Sequence, residues 1–248
     1  MKLYGLIGYP LGHSFSQKYF TEKYQKESIN DCRYELFEIP KVDDIKGILN
    51  KETDLRGFNV TIPYKEQILP YLDSIDTDAA AIGAVNVVKI TDGQLKGYNT
   101  DFIGFRDTLL DLIGQRSNLK ALILGTGGAS KAVAYTLQKL NIDTQYVSRN
   151  PSPGNITYSD LHASEQWTKS HQLIINTTPL GTFPNTDNAP DIPYKHLSNQ
   201  HFLYDLVYNP TETLFMKQGK RMGATTTNGY KMLVKQAEAA WEIWNQPA

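Results

Sequence analysis

Residues 119–150 set out a chemistry before any fold is considered. Gly125, Gly127 and Gly128 follow an apolar run at 121–124 and precede a segment where Ala129, Val133, Ala134, Leu137 and Leu140 recur at helical spacing. A glycine in the first position lets the chain reverse sharply after a strand. Gly127 has no Cβ, so a pyrophosphate can approach the backbone, where free N–H groups and the positive end of the helix dipole meet it. The third position of the usual pattern is Ser130, still a small residue. About 20 residues past the turn, where an NAD-type site carries an acid for the ribose 2′-hydroxyl, the chain reads Ser148-Arg149. A guanidinium pairs bidentately with a 2′-phosphate, so the pattern favours NADP(H) over NAD(H). Two plainer readings stay open at this level: a structural glycine turn in another α/β protein, and an ordinary surface arginine.

A second set of polar residues lies in the first ~100 positions: Ser14 and Ser16, Thr61 and Lys65, Asn86, and Asn99-Thr100-Asp101. Each follows or ends a predicted strand, and ligands of open α/β sheets sit beyond the carboxyl ends of strands. A substrate site facing a dinucleotide domain has this form. Each cluster alone also reads as a cap or turn, and Lys65 alone as a solvated lysine.

These side chains need elements to hold them. Strands are expected at 3–7, 34–39 and 57–62, the last stopped by Pro63. Ser16 can cap a helix running to about 28 with Phe20 and Tyr24 on one face, and 42–49 reads as a short helix. Runs 85–91 and 94–98 flank Asp92-Gly93, a two-residue hairpin signal. A helix at 102–113 leads into strand, glycine turn, helix and a second strand at 144–147, one βαβ unit. Pro151, Pro153 and Gly154 mark a loop where the adenosine end would lie. Apolar runs at 173–176 and 202–206 are consistent with further parallel strands, with loop at 179–193 between them. A last helix, 228–244, carries Leu233, Ala237, Ala240, Trp241 and Trp244 on one stripe that must pack on something.

The 248 residues suffice for two domains, and 40% hydrophobic with 21% charged residues suits a soluble globular protein. A net charge of −1 gives no electrostatic footprint for nucleic acid or an anionic membrane. The single Cys32 excludes a disulfide framework, and no Cys/His spacing resembles a metal site. No apolar run reaches transmembrane length. The start MKLYGLIGYPLGHS is broken too soon by Gly and Pro for a signal peptide, so a cytoplasmic location is expected.

Taken in order, short pieces across nearly the whole chain resemble the shikimate dehydrogenase family. They are Gly8-Tyr9-Pro10 with His13-Ser14-Phe15-Ser16, Gly57-Phe58-Asn59-Val60-Thr61-Ile62-Pro63-Tyr64-Lys65, Gly83-Ala84-Val85-Asn86 and Gly97-Tyr98-Asn99-Thr100-Asp101. The series continues with Gly125-Thr126-Gly127-Gly128-Ala129-Ser130, Ile175-Asn176-Thr177-Thr178-Pro179-Leu180-Gly181, Tyr204-Asp205-Leu206-Val207-Tyr208-Asn209-Pro210, and Asn228-Gly229 through Gln236-Ala237.

The resemblance implies a two-domain α/β fold. A substrate and catalytic domain would comprise 1–101 plus 228–248, and a Rossmann-like, doubly wound NADP-binding domain 102–227. It implies reversible NADPH-dependent reduction of 3-dehydroshikimate to shikimate. Ser14 and Ser16, helped by Tyr208, would hold the substrate carboxylate. Thr61, Lys65, Asn86, Asp101 and Gln236 would face the ring hydroxyls and the reacting carbonyl. Gly125, Thr126, Gly127, Gly128, Ala129, Ser148, Arg149 and Asn150 would hold the cofactor, with Leu206 and Gly229 by the nicotinamide. Lys65 would supply the proton that hydride transfer demands, and Asp101 would hold Lys65 in place. Monomer and homodimer are both open, with a small-molecule substrate, and neither nucleic acid, membrane nor metal is expected.

Two departures stand out. Phe102 replaces a glycine often found after Asn-Thr-Asp, and the 148–153 loop lacks the second arginine of many NADP-specific members. NADP preference then rests on Arg149 and the backbone, with less discrimination. The rivals are a quinate/shikimate dehydrogenase with relaxed NAD/NADP use, a non-catalytic sensor of shikimate-pathway metabolites, and a folate-type dehydrogenase of related plan. The sensor would be expected to lose the Lys65/Asp101 pair, and the last has no evident counterpart to the serine pair.

Overall fold

The computed structural model describes residues 1–12 and 14–247; His13 of the His13-Ser14-Phe15-Ser16 motif lies outside the described residues. The chain divides into two compact units, Met1–Thr100 with Gln236–Ala248, and Asp101–Lys235. The sequence reading groups Asp101 and residues 228–235 with the first domain instead.

The first unit contains β1 (Lys2–Gly8), α1 (Phe15–Lys26), β2 (Cys32–Glu38), a single turn at Val42–Asp44 running into α2 (Ile45–Lys51), β3 (Leu55–Val60), β4 (Ser74–Ile75), α3 (Thr77–Ile82), β5 (Val87–Thr91) and β6 (Gln94–Tyr98). Its sheet has the order β2-β1-β3-β5-β6-β4. β1 runs parallel to β2 and β3, whereas β5 is antiparallel to β3 and β6. Asp92 and Gly93 turn the hairpin with φ of 51° and 78°, a left-handed pair that Asp-Gly accepts at little cost. Helix α1 is capped by Ser14, whose Oγ accepts from the Gln17 N–H at 3.2 Å, and not by Ser16 as the sequence suggests. Ser14 holds the extended backbone a cap needs, and Ser16 already lies inside the first turn.

The second unit contains α4 (Asp101–Ile113), β7 (Lys120–Leu124), α5 (Gly128–Lys139), β8 (Asp143–Ser148), β9 (Asn155–Thr157), α6 (Tyr158–Ala163), α7 (Glu165–Ser170), β10 (Leu173–Asn176), β11 (Phe202–Asp205), α8 (Leu214–Arg221) and β12 (Thr225–Thr227). Its sheet is parallel throughout, in the order β12-β11-β10-β7-β8-β9. Ala121 to Leu124 and Leu173 to Ile175 are fully or almost fully buried, as strands covered on both faces require. The strand order reverses between β7 and β10, so the topological switch point lies where Gly125 and Thr177 leave the sheet. Sequence periodicity misses β4 and α3 in the first unit and β9, α6, α7, α8 and β12 in the second, because elements of two to eight residues are too short to show it.

The last helix, α9 (Tyr230–Asn245), begins in the second unit and passes into the first. In the first unit its stripe packs on α1 and the sheet. The Trp244 indole stacks on Tyr4 at 4.7 Å, lies 5.5 Å from Phe20, and donates to the Val88 carbonyl at 3.0 Å. A Cβ on Gly57 would come within 2.4 Å of the indole nitrogen, so a glycine there lets the helix seat. Lys23 of α1 is buried and pairs with Glu27 and with Glu238 of α9, both at 2.8 Å.

Candidate functional site

The glycine turn begins where β7 ends. Gly125 has φ +104°, and a Cβ there would meet the Thr178 methyl at 2.9 Å, so both conformation and space demand glycine. Gly127 forms the N-cap of α5 with extended backbone and without a side-chain hydrogen bond. The first N–H groups of this 12-residue helix therefore lack a capping side chain and face outward. A Cβ on Gly127 would meet nothing within 4 Å, so the space beside the backbone is open. Ser130 donates to the Gly127 carbonyl at 2.6 Å and is buried, locking the turn from beneath.

A cavity of about 470 Å³ opens at this turn. Gly125, Thr126, Gly127, Ser148, Arg149 and Asn150 line it together with residues the sequence analysis assigned no role: Val147, Tyr158 and the 177–180 loop. Ser148 accepts from the Asn150 N–H at 3.1 Å and donates to its carbonyl at 2.6 Å, folding the loop after β8 so that it turns on itself. Arg149 is exposed and makes no hydrogen bond or ion pair among the described residues. Burial pushes the Tyr158 phenol above its ordinary pKa while Arg149, nearby, acts the other way. An unpaired guanidinium and an uncapped helix N-terminus on one cavity are two anion-binding features, and a dinucleotide with a 2′-phosphate presents anions at both. Tyr158 escapes sequence analysis because β9 brings it there. The 177–180 loop could have been found from the Asn-Thr-Thr-Pro-Leu-Gly run at a strand end.

The same end of the second unit carries two more predicted residues. The carbonyl of Val207 accepts from the Gly229 N–H at 3.1 Å, and a Cβ on Gly229 would sit 2.1 Å from the Leu206 oxygen. Leu206 and Gly229 thus belong together through a backbone approach that only glycine permits. Tyr208, two residues on, is 37% exposed.

In the first unit, Asn86 leads a buried polar network. Its Oδ1 accepts from the Thr100 N–H at 2.6 Å, and its Nδ2 donates to Thr100 Oγ1 at 3.1 Å and to Gln236 Oε1 at 3.5 Å. Its carbonyl accepts from Asn59 Nδ2 at 3.3 Å, and Asn59 Oδ1 accepts from the Tyr34 hydroxyl at 2.7 Å. Asn99 donates to the Ala84 carbonyl at 2.9 Å. Thr61 follows β3, and its N–H donates to the Ile7 carbonyl at 2.9 Å. Lys65, half-buried, is fixed through its carbonyl, which accepts from Val85 N–H at 2.8 Å. Of the predicted substrate residues, Ser14, Ser16, Thr61, Lys65, Asn86 and Gln236 lie in this unit, and Asp101 and Tyr208 in the other. Among the described residues no cluster of His, Cys, Asp or Glu could hold a metal, and no helix is long and apolar enough to cross a membrane.

Comparison with known proteins gives the chain a family. Residues 6–88 match the model of the shikimate dehydrogenase substrate binding domain. A shikimate dehydrogenase (NADP(+)) of Methanococcus maripaludis is 40% identical, over 98% of this chain and 91% of that protein. The crystal structure of shikimate 5-dehydrogenase from Thermus thermophilus in complex with NADP(H) and shikimate superposes with a TM-score of 0.85 at 28% identity, covering 99% of this chain and 94% of that one. That of Listeria monocytogenes, in complex with shikimate and NAD, gives 0.86 at 26%, covering 98% and 91%. With its two α/β units, its cavity at the switch point and a relative this similar along almost its full length, the chain belongs to the shikimate dehydrogenase family.

Proposed function

We propose that this protein catalyses the reversible NADPH-dependent reduction of 3-dehydroshikimate to shikimate. The observation that carries the reading is the cavity at the switch point of a family member, where an open glycine turn and an unpaired Arg149 offer separate places for the pyrophosphate and the 2′-phosphate. Gly125 to Ala129 bind the pyrophosphate through backbone N–H groups, Arg149 the 2′-phosphate, and Ser148 and Asn150 shape the loop between. Leu206 and Gly229 would lie by the nicotinamide.

Bound NADPH supplies the hydride. Ser14 and Ser16 hold the substrate carboxylate through their hydroxyls, with Tyr208 as a third donor. Thr61, Asn86 and Gln236 orient the ring hydroxyls. Lys65 donates its proton to the C3 oxygen as charge develops there, and Asp101 keeps the ammonium in place. In the reverse direction Lys65 takes that proton back. The same reading makes residues 1–101 with 228–248 the substrate domain and 102–227 the cofactor domain. It places the protein in the cytoplasm, as monomer or homodimer, with no nucleic-acid partner.

The test is NADP⁺ reduction followed spectrophotometrically with shikimate, against quinate and against NAD⁺. Turnover highest with shikimate and NADP⁺ is expected; turnover with quinate alone would overturn the reading. A second reading, relaxed use of NAD⁺, is favoured by the 148–153 loop, where Arg149 is the one cation.

A further inference from the structure

Asp205 ends β11 with no exposed surface, and no residue of the mechanism above uses it. It is a buried carboxylate without an ion-pair partner among the described residues. Burying such a group is costly unless hydrogen bonds replace its water. Three donors do so. Asp205 Oδ1 accepts from Asn176 Nδ2 at 2.9 Å and from the Val207 N–H at 3.0 Å, and Oδ2 accepts from the Thr213 hydroxyl at 2.6 Å.

Each donor belongs to a different segment. Asn176, at the end of β10, in turn accepts on its Oδ1 from the Thr178 N–H at 3.0 Å and the Thr178 hydroxyl at 2.6 Å. Thr178 lies in the 177–180 loop that walls the cavity. Val207 lies between Leu206 and Tyr208 and accepts from Gly229. Thr213 caps α8, accepting from the Met216 N–H at 3.3 Å. One carboxylate therefore joins the cavity wall, the 206–208 loop and a helix start.

We propose that Asp205 is a positioning residue for the reaction: ionised, it sets the 177–180 loop and the 206–208 loop in register with each other through Asn176. Neutralising it removes the charge that strengthens these three bonds, so the loops they hold are held less tightly. Burial raises the Asp205 pKa to about 6, with the bonds from Thr213, Val207 and Asn176 acting in opposition. Among the described residues, Tyr194 is a titratable group that feels the Asp205 charge; its hydroxyl donates to the Pro190 carbonyl at 2.8 Å, and its own pKa is raised, first by burial and then by Asp205. Tyr194 stays neutral through the relevant range, so the switch belongs to Asp205.

The functional part rests on the reading above; the structural part is tested without ligand. Amide hydrogen exchange of Thr178 and Val207, corrected for intrinsic rates, is measured from pH 5 to 8 in the whole protein. Protection of both is expected to fall together below about pH 6. Asp205→Asn should remove about tenfold of protection at neutral pH and abolish that pH dependence, the loss of a charge-assisted bond. Thr213→Val removes one donor and should move the midpoint up by about one pH unit, while Thr213→Ser, which keeps the hydroxyl, leaves it in place. The acid limb of kcat/KM with NADP⁺ should move with the exchange midpoint. The 2′-phosphate also titrates near pH 6, but its limb does not respond to Thr213.

Unchanged protection in Asp205→Asn, or a midpoint that ignores Thr213→Val, would overturn the assignment. An exchange midpoint that moves while the activity limb stays fixed would leave Asp205 structural and overturn its positioning role. Exchange that behaves as expected in a wild-type protein with no turnover of shikimate would instead remove the reading above.

Discussion

The Asn86 network of the first unit and the glycine turn and Arg149 of the second are held in opposite ways. In the first, Asn86, Asn59, Thr100 and Gln236 are buried and hydrogen-bond to one another. In the second, the turn and the cation at the cavity stand open: Gly127 faces empty space, α5 has no capping side chain, and Arg149 has no ion-pair partner among the described residues. On the proposed function, the difference follows from what each would bind. A small polyhydroxy acid is recognised by a few donors and acceptors in exact places, so the protein spends its own hydrogen bonds fixing them. A dinucleotide brings several anionic charges of its own, and unpaired N–H groups and a guanidinium gain from meeting them.

Mutations can break this contrast. Lys65→Ala should lower kcat by about 10²–10⁴-fold, the range for losing a proton donor, while NADPH affinity by fluorescence titration stays within about twofold. A variant with most of its turnover would remove Lys65 from the chemistry. Arg149→Ala should raise KM for NADP⁺ by about ten- to a hundredfold and leave NAD⁺ nearly untouched, because one charge-assisted pair is lost. Equal losses for both cofactors would show that Arg149 shapes the loop instead.

Asn86→Ala probes the other side. It strands the Thr100 N–H in a buried site and should cost about 1–3 kcal/mol of stability, read in denaturant unfolding, besides weakening shikimate binding. Arg149→Ala should leave stability unchanged in the same experiment, since an exposed, unpaired side chain contributes little. The smallest effect sharpens the comparison most. Gly127→Ala should fold with unchanged Tm, because its methyl meets nothing in the free protein, yet raise KM for NADP⁺ several-fold by occupying the approach of the phosphate. A fall in Tm with KM unchanged would make Gly127 a structural glycine.

Much of this was readable from the chain. Helical spacing at 129–140, the Asp92-Gly93 hairpin and the apolar stripe of the last helix are local signals, and each element lies within a few residues of its expected position. Gly125 and Arg149 were legible because a tight turn and a missing acid are features of a single short stretch. Ser14 and Ser16 show the limit: either serine could cap by type, and only the extended backbone at Ser14 decides.

Sequence alone thus determined the βαβ unit, the hairpin, the family motifs and the identities of the residues carrying charge and hydroxyls, because these depend on neighbours within a few positions. Tertiary structure decided what those residues touch. Lys23 meets Glu238 from 215 residues away, Asn86 meets Gln236 from 150, and Asn176 meets Asp205 from 29. Tyr158 reaches the cavity because β9 pairs with β8, and Gly229 meets Leu206 because the two backbones close on each other. No local periodicity encodes such pairings. They arise when strand register and helix packing bring distant segments together, and a buried polar group then takes whichever partner that packing supplies.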